Sequence, residues 1–87
     1  MEWDEPKRQW TLKRRGLDFA DVLDFDMATA EHHVDRRRHY GEVRFVSTGI
    51  LHGRLCVLCW TLRAGELRVI SLRKANDREQ KDYSRRD

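Results

Sequence analysis

No stretch of this sequence stays apolar for long. The longest such run, LCVLCWTL, is far too short to cross a bilayer, and no basic, apolar, small-residue series at the N-terminus reads as a signal peptide. The expectation is a cytoplasmic protein with no membrane partner. Cysteine is also scarce: two residues, Cys56 and Cys59, give no disulfide framework. With one proline and five glycines there is no Pro- or Gly-rich linker, and there are no repeats or low-complexity tracts. At 87 residues the chain is expected to form a single domain over 1–87. Folding at that size buries roughly 60% of the unfolded surface, which disfavours a deep substrate cavity.

A strong charge excess of one sign is missing as well. The 18 Lys and Arg exceed the 15 Asp and Glu by only three. Their distribution is uneven: residues 17–31 carry five acidic and no basic residues, whereas 32–63 carry six basic and two acidic. Such blocks predict one positive face rather than a uniformly charged surface.

What is present reads first as two short helices. Asp4 is placed to cap a helix over Glu5–Arg15, with Pro6 in its first turn, basic residues in its last turn and Gly16 at the left-handed stop. Asp18 caps a second, ending near Phe25, with Phe19, Val22 and Leu23 on one face. From about Ala28 the pattern becomes extended. EVRFVSTGIL, GRLCVLCWTL and ELRVISLRK are rich in branched and aromatic residues and are separated by HG and RAG turns, with MATAEHHV as an edge strand. A polar tail over Asn76–Tyr83 reads as a short helix. The fold class is therefore α+β: two N-terminal helices packed on one face of an antiparallel sheet of about four strands, with a short C-terminal helix.

Alternation sorts side chains onto sheet faces. Cys56, Leu58, Trp60 and Leu62 share one face, with Ile70 and Leu72 beside them. Val57, Cys59, Thr61 and Arg63 share the other, with Val69, Ser71 and Arg73. The helices should cover the first set, with Phe45 joining it and Phe19, Val22 and Leu23 packing against it. Arg44, Arg63 and Arg73 then stand on an open face, where guanidinium forks suit phosphate oxygens or form ion pairs with Glu42 or Glu66. Within a strand, the C-x-x-C sulfurs point to opposite sides and read as buried thiols. Adjacent His32 and His33 likewise diverge, and no set of metal ligands assembles. The run Arg36–Arg38 reads as a solvated loop or a non-specific polyanion contact.

The ordered motifs WDEPK, KRRGLDFADVLDF, DRR, YGEVR, Gly49, GRLCVLCWT and LRVISLRKA, followed by Glu79 and Tyr83, resemble the BrnT family of ribonuclease toxins along nearly the whole chain. Thr11, Arg15 and Leu72 depart from the family pattern, which has asparagine, histidine and alanine at these places. The resemblance implies a RelE-like fold and RNA cleavage on the open sheet face by a metal-independent endoribonuclease without cofactors. The implied partners are an RNA substrate and a BrnA-like ribbon-helix-helix antitoxin, with operator DNA contacted through the antitoxin. On this reading Arg44, Arg63 and Arg73 hold and neutralise the phosphate. Glu42 is the candidate general base or else a structural ion-pair partner, with His39 and His52 ranked below it. Lys7, Lys13, Arg15 and Arg37 are RNA-binding residues. The competing class is a catalytically silent RNA- or antitoxin-binding module. An RRM-type domain would show stacking aromatics on the open face, and alternation puts none at the central positions.

Overall fold

The computed structural model describes residues 1–86. The elements run β1 (Glu2–Trp3), α1 (Glu5–Arg15), a 3-10 helix (Phe19–Asp24), β2 (Glu31–Val34), β3 (Arg44–Leu51), β4 (Arg54–Arg63), β5 (Glu66–Lys74) and α2 (Asp77–Arg85). α1 occupies the span its capping signals predict: the Asp4 carboxylate accepts from Lys7 N, and Gly16 closes the helix at φ 68°. α2 begins with a reciprocal capping box between Asn76 and Glu79.

Three features depart from the sequence expectation. The second helix is a 3-10 turn pair rather than an α-helix, because it spans six residues between the Asp18 cap and an extended Phe25. The sheet is mixed and five-stranded, in the order β1-β5-β4-β3-β2, because Glu2 and Trp3 pair in parallel with Arg68 and Val69. The edge strand is only Glu31–Val34, since residues 27–29 form a turn in which the Asp26 carboxylate accepts from Thr29 Oγ1 and Ala28 N. The two long hairpins, β3–β4 and β4–β5, follow the predicted runs.

The core lies between the sheet and the 3-10 helix. Phe19, Val22 and Phe25 meet Leu51, Cys56, Leu58, Val69 and Leu72, with Trp3, Trp60 and Leu67 at the margin. Gly49 lets the covering segment come this close: a Cβ there would stand 2.8 Å from Ala30 Cβ and 2.9 Å from Phe25 Cζ. Cys56 and Cys59 are free and buried, Cys56 in this core and Cys59 on the opposite face, as alternation requires.

Leu62, expected under the helices, is 53% exposed at the end of β4, and Phe45 stays outside the buried cluster; two further core assignments change. Leu23 is 79% exposed, and Phe25 takes its place, because the 3-10 repeat turns positions 19, 22 and 25 inward together. Val69 replaces Ile70, because β5 carries a bulge: Cys59 pairs with Ser71 while Trp60 pairs with Val69, leaving Ile70 as the extra residue. Phe45 and Trp60 stack with ring centroids 4.7 Å apart. Trp60 Nε1 donates to the Ser47 hydroxyl at 2.8 Å, and that oxygen lies 2.6 Å from His32 Nδ1. His32 Nε2 is 2.9 Å from the Met27 carbonyl, so His32 is committed to holding the edge strand and the turn before it.

Leu58→Ala should therefore destabilise the protein by about 2–5 kcal/mol, as for a fully buried leucine, whereas Leu23→Ala should stay within about 0.5 kcal/mol. Urea unfolding of both variants checks this, and a comparable loss at Leu23 would contradict the packing.

Candidate functional site

Cross-strand pairing arranges the face away from the 3-10 helix in rows. His33, Val46, Cys59 and Ser71 form one row, and Glu31, Thr48, Val57 and Arg73 form the next. Toward the other end, Arg44, Thr61 and Arg68 are in line, followed by Arg63 opposite Glu66. The first row, with Thr48, Val57 and Arg73 of the second, floors an open groove of about 640 Å³. Its walls are Arg15 at the end of α1, Asp35–Arg37 after β2, and Glu79 of α2. α1 is therefore not simply stacked with the 3-10 helix on one face, because its last residue reaches the groove. There Arg15 Nη1 donates to the Leu72 carbonyl at 2.9 Å while its guanidinium sits 5.0 Å from the Trp10 ring centroid. Thr11, one turn earlier, is buried.

The predicted arginines do not form one constellation. Arg73 stands opposite Val57, six β4 positions from Arg63, or roughly 20 Å at about 3.3 Å per residue. Extended strands separate what the alternation argument placed on a common face: the face is shared, but the distance along it is too long for one phosphate. Arg73 belongs to the groove. Glu79 engages it through two parallel bonds of 2.8 Å each, which raise the guanidinium's affinity for its proton. Arg63 and Arg44 instead meet at Glu42, with Arg44 Nε 3.0 Å and Arg63 Nη2 3.1 Å from its oxygens. Those bonds, Arg44's foremost, hold the Glu42 carboxyl below its ordinary range. Tyr40 completes this second cluster, with the Arg44 guanidinium 4.2 Å from its ring centroid.

Arg37 is in the groove wall, and what places it is a residue that composition did not flag. The Asp35 side chain is only 2% exposed. It accepts from Arg37 Nε and Nη2 at 2.9 and 2.7 Å, from Arg37 N at 3.1 Å, and from the Tyr40 hydroxyl at 3.0 Å. These contacts, the Arg37 side chain first, keep its carboxyl well below the usual range. The charges of Arg37 and Arg73 act on one another, Arg37 opposing the proton affinity that Glu79 confers on Arg73. The signal for Asp35 was present in the sequence, since His33 and Asp35 are two apart in an extended segment and share the groove side.

Lys7 lies close enough for its charge to act on the Cys59 thiol, whose pKa burial pushes up. Lys13 is exposed on α1 and does not line the groove. His39 lines a second depression together with Arg36, Arg38, Tyr40 and Glu42. His52 sits in the β3–β4 turn, where its Nε2 is 2.8 Å from Asp24 and its pKa is raised by that contact. Among the described residues Asp21, Asp24 and His52 form one group with metal-binding atoms within 4.8 Å of each other. The sequence alone assembled no such set, because the fold brings a helical segment against a distant turn. None of the three lines the groove. No helix among the described residues is long and apolar enough to cross a membrane.

A protein-family comparison matches residues 3–79 to the model described as the ribonuclease toxin, BrnT, of type II toxin-antitoxin systems. A comparison with curated proteins gives no match.

The Arg73–Glu79 clamp makes an acid-sensitive joint between β5 and α2. Glu79 has its pKa lowered from 4.5 to about 2, chiefly by Arg73. A depressed carboxylate contributes its stability above the unfolded value and loses it as pH falls through the folded one. Helical signals of α2 followed by NMR should therefore weaken between about pH 4.5 and 2. Glu79→Gln should remove that dependence while weakening α2 at neutral pH. A wild-type α2 indifferent to this acid range would contradict the clamp.

Proposed function

The chain belongs to the BrnT family, the ribonuclease toxins of type II toxin-antitoxin systems, and on that premise we propose that the groove over β3–β5 binds an RNA strand and cleaves it without metal. The observation that carries this reading is the pair Arg37 and Arg73. Each guanidinium is fixed by a carboxylate partner, and the two charges oppose one another across the groove wall. A phosphate between them converts that repulsion into attraction on both sides. Guanidinium forks also strengthen their hold as charge builds on the phosphate oxygens during attack by the 2′-hydroxyl.

The remaining predicted residues take different places along the same strand of RNA. Arg15 extends the groove at the α1 end, and Lys7 adds charge near its floor. Arg44 and Arg63, held by Glu42, lie further along the face and contact the flanking backbone. A carboxylate held below its usual range by two arginines is a weak proton acceptor, so Glu42 orients these cations rather than serving as the base. Lys13, exposed and away from the groove, contributes only long-range attraction. The hydroxyls of Thr48 and Ser71 offer neutral contacts to phosphate or sugar on the floor. The strands' aromatic pair, Phe45 and Trp60, is on the core side, so the groove grips the backbone and does not offer the stacking platform of an RRM.

The family is one of toxin-antitoxin pairs, so an antitoxin is the expected protein partner. We take it to be a BrnA-like ribbon-helix-helix protein that contacts operator DNA itself and silences the toxin by covering the arginine-bearing face.

Arg73→Ala should lower single-turnover cleavage of a mixed-sequence RNA by about 10²-fold or more, whereas Arg63→Ala should mainly weaken RNA binding and reduce its salt dependence. Equal rates in wild type and Arg73→Ala would reject the groove as the catalytic site. Chelator treatment should leave the cleavage rate unchanged, and a rate restored only by added divalent cation would overturn the metal-free mechanism.

A further inference from the structure

The ribonuclease reading leaves the proton acceptor unassigned, and the groove itself narrows the choice. Its carboxylates are committed: Asp35 to Arg37 and Tyr40, and Glu79 to Arg73 and the α2 cap. Its cations carry no lone pair to receive a proton. Two other ionisable groups are in the lining, Cys59 and His33; burial pushes the Cys59 thiol up, so it keeps its own proton, and His33 is left. Pairing with Val46 turns it to the groove face, in line with Cys59 and Ser71, while His32 pairs with Ser47 and turns beneath the sheet. The two adjacent histidines are thereby split: His32 has both ring nitrogens engaged, and His33 is exposed, with a ring that makes no hydrogen bond to the described residues.

We propose that His33 is the general base of the groove, removing the 2′-hydroxyl proton of a ribonucleotide whose 3′-phosphate is held by Arg37 and Arg73. This inference rests on the ribonuclease reading above. The O–H bond breaks and its proton passes to an imidazole nitrogen, and the oxygen's electron pair forms the new bond to phosphorus. The bond from phosphorus to the 5′-oxygen breaks, and that oxygen keeps the electron pair and takes a proton from solvent water. The resulting hydroxide takes the proton back from imidazolium, leaving a 2′,3′-cyclic phosphate, a 5′-hydroxyl and a regenerated histidine. Position supports the assignment. His33 is on the β2 bank immediately before the Asp35–Arg37 clamp, and Arg73 is on the β5 bank, three strand spacings across and two residues along, roughly 16 Å of sheet away. A nucleotide between the banks meets the base on one side and the charge-stabilising fork on the other. Imidazole is also the one side chain that ordinarily changes protonation between pH 5 and 8. The charged groups around it are Glu31 two positions earlier on the same face, Asp35, Arg36 and Arg37 following it, and Arg15, Arg73 and Glu79 on the facing walls.

The test is the pH profile of single-turnover cleavage of a mixed-sequence RNA oligonucleotide by the full chain. His33→Ala should lower the neutral-pH rate by about 10²-fold and abolish the limb that rises from acid to neutral pH, with RNA affinity largely kept. Free imidazole should restore part of the lost rate. Glu31→Gln should retain the limb, and Arg73→Ala should depress the rate at every pH without removing it. His33→Gln and circular dichroism control for folding. A wild type that cuts while His33→Ala keeps both rate and limb overturns the proposal for His33 and leaves the ribonuclease groove standing. Loss of the limb in Glu31→Gln instead assigns the base to Glu31 and also overturns it. A folded wild type that cuts no RNA removes the ribonuclease reading, and the role of His33 with it.

Discussion

One extra residue in β5 decides which side of the sheet each side chain serves. Strict alternation over Leu67–Lys74 would send Leu67 and Val69 to the same face as Ser71 and Arg73, and Arg68 to the face of Leu72. The bulge at Ile70 resets the phase. Leu67, Val69 and Leu72 all turn toward the 3-10 helix, while Arg68, Ser71 and Arg73 all turn away. The core gains a fully buried leucine and a nearly buried valine on one strand, and the residues that β5 turns to the opposite face are all polar. Both the packing of Phe19, Val22 and Phe25 and the composition of the groove follow from that single insertion.

The second organising principle is that four arginines of the groove and its face are each aimed by a carboxylate. Asp35 holds Arg37, Glu79 holds Arg73, and Glu42 holds Arg44 and Arg63. Exposed ion pairs contribute only about 0–1 kcal/mol each, so their effect here lies in fixing the direction of flexible cations. Asp35 is the most demanding case, since its carboxylate is buried and four donors satisfy it. Glu79 links the same logic to the fold: it completes the α2 capping box as well as the clamp on Arg73. α2 is further tied down by Tyr83, whose hydroxyl donates to the Thr29 carbonyl at 3.0 Å, and by Arg86, which donates to the same oxygen.

Two of the three departures noted from the sequence resemblance acquire local explanations. Leu72 is fully buried among the core residues, so it fills space. Arg15 keeps a polar role, bonding the Leu72 carbonyl at the groove rim. Both sit on β5 or against it, the strand whose phase sets the two faces. The Asp21, Asp24 and His52 group lies apart from the groove, at the meeting of the 3-10 helix and the β3–β4 turn.

Local chemistry was legible in the sequence. Asp4, Pro6 and Gly16 delimit α1, Asn76 and Glu79 start α2, and period-two alternation along β4 places Leu58 and Trp60 opposite Arg63 and separates the two cysteines. These are properties of neighbouring residues and need no knowledge of distant ones. Phase and distance were not legible. Alternation says which face a residue shares but not how far along it a partner stands, so Arg63 and Arg73 read as one site although most of a strand lies between them. A bulge depends on how two strands' side chains compete for a common core, which is why Ile70 and Val69 exchanged places. The commitment of His32 to Ser47 and the freedom of His33 likewise required the register of β2 on β3. The sequence by itself determined the helix limits, the strand runs and the two faces of β4; only tertiary pairing, through the bulge and the strand registers, decided the faces of β5 and which charged groups stand together on the sheet.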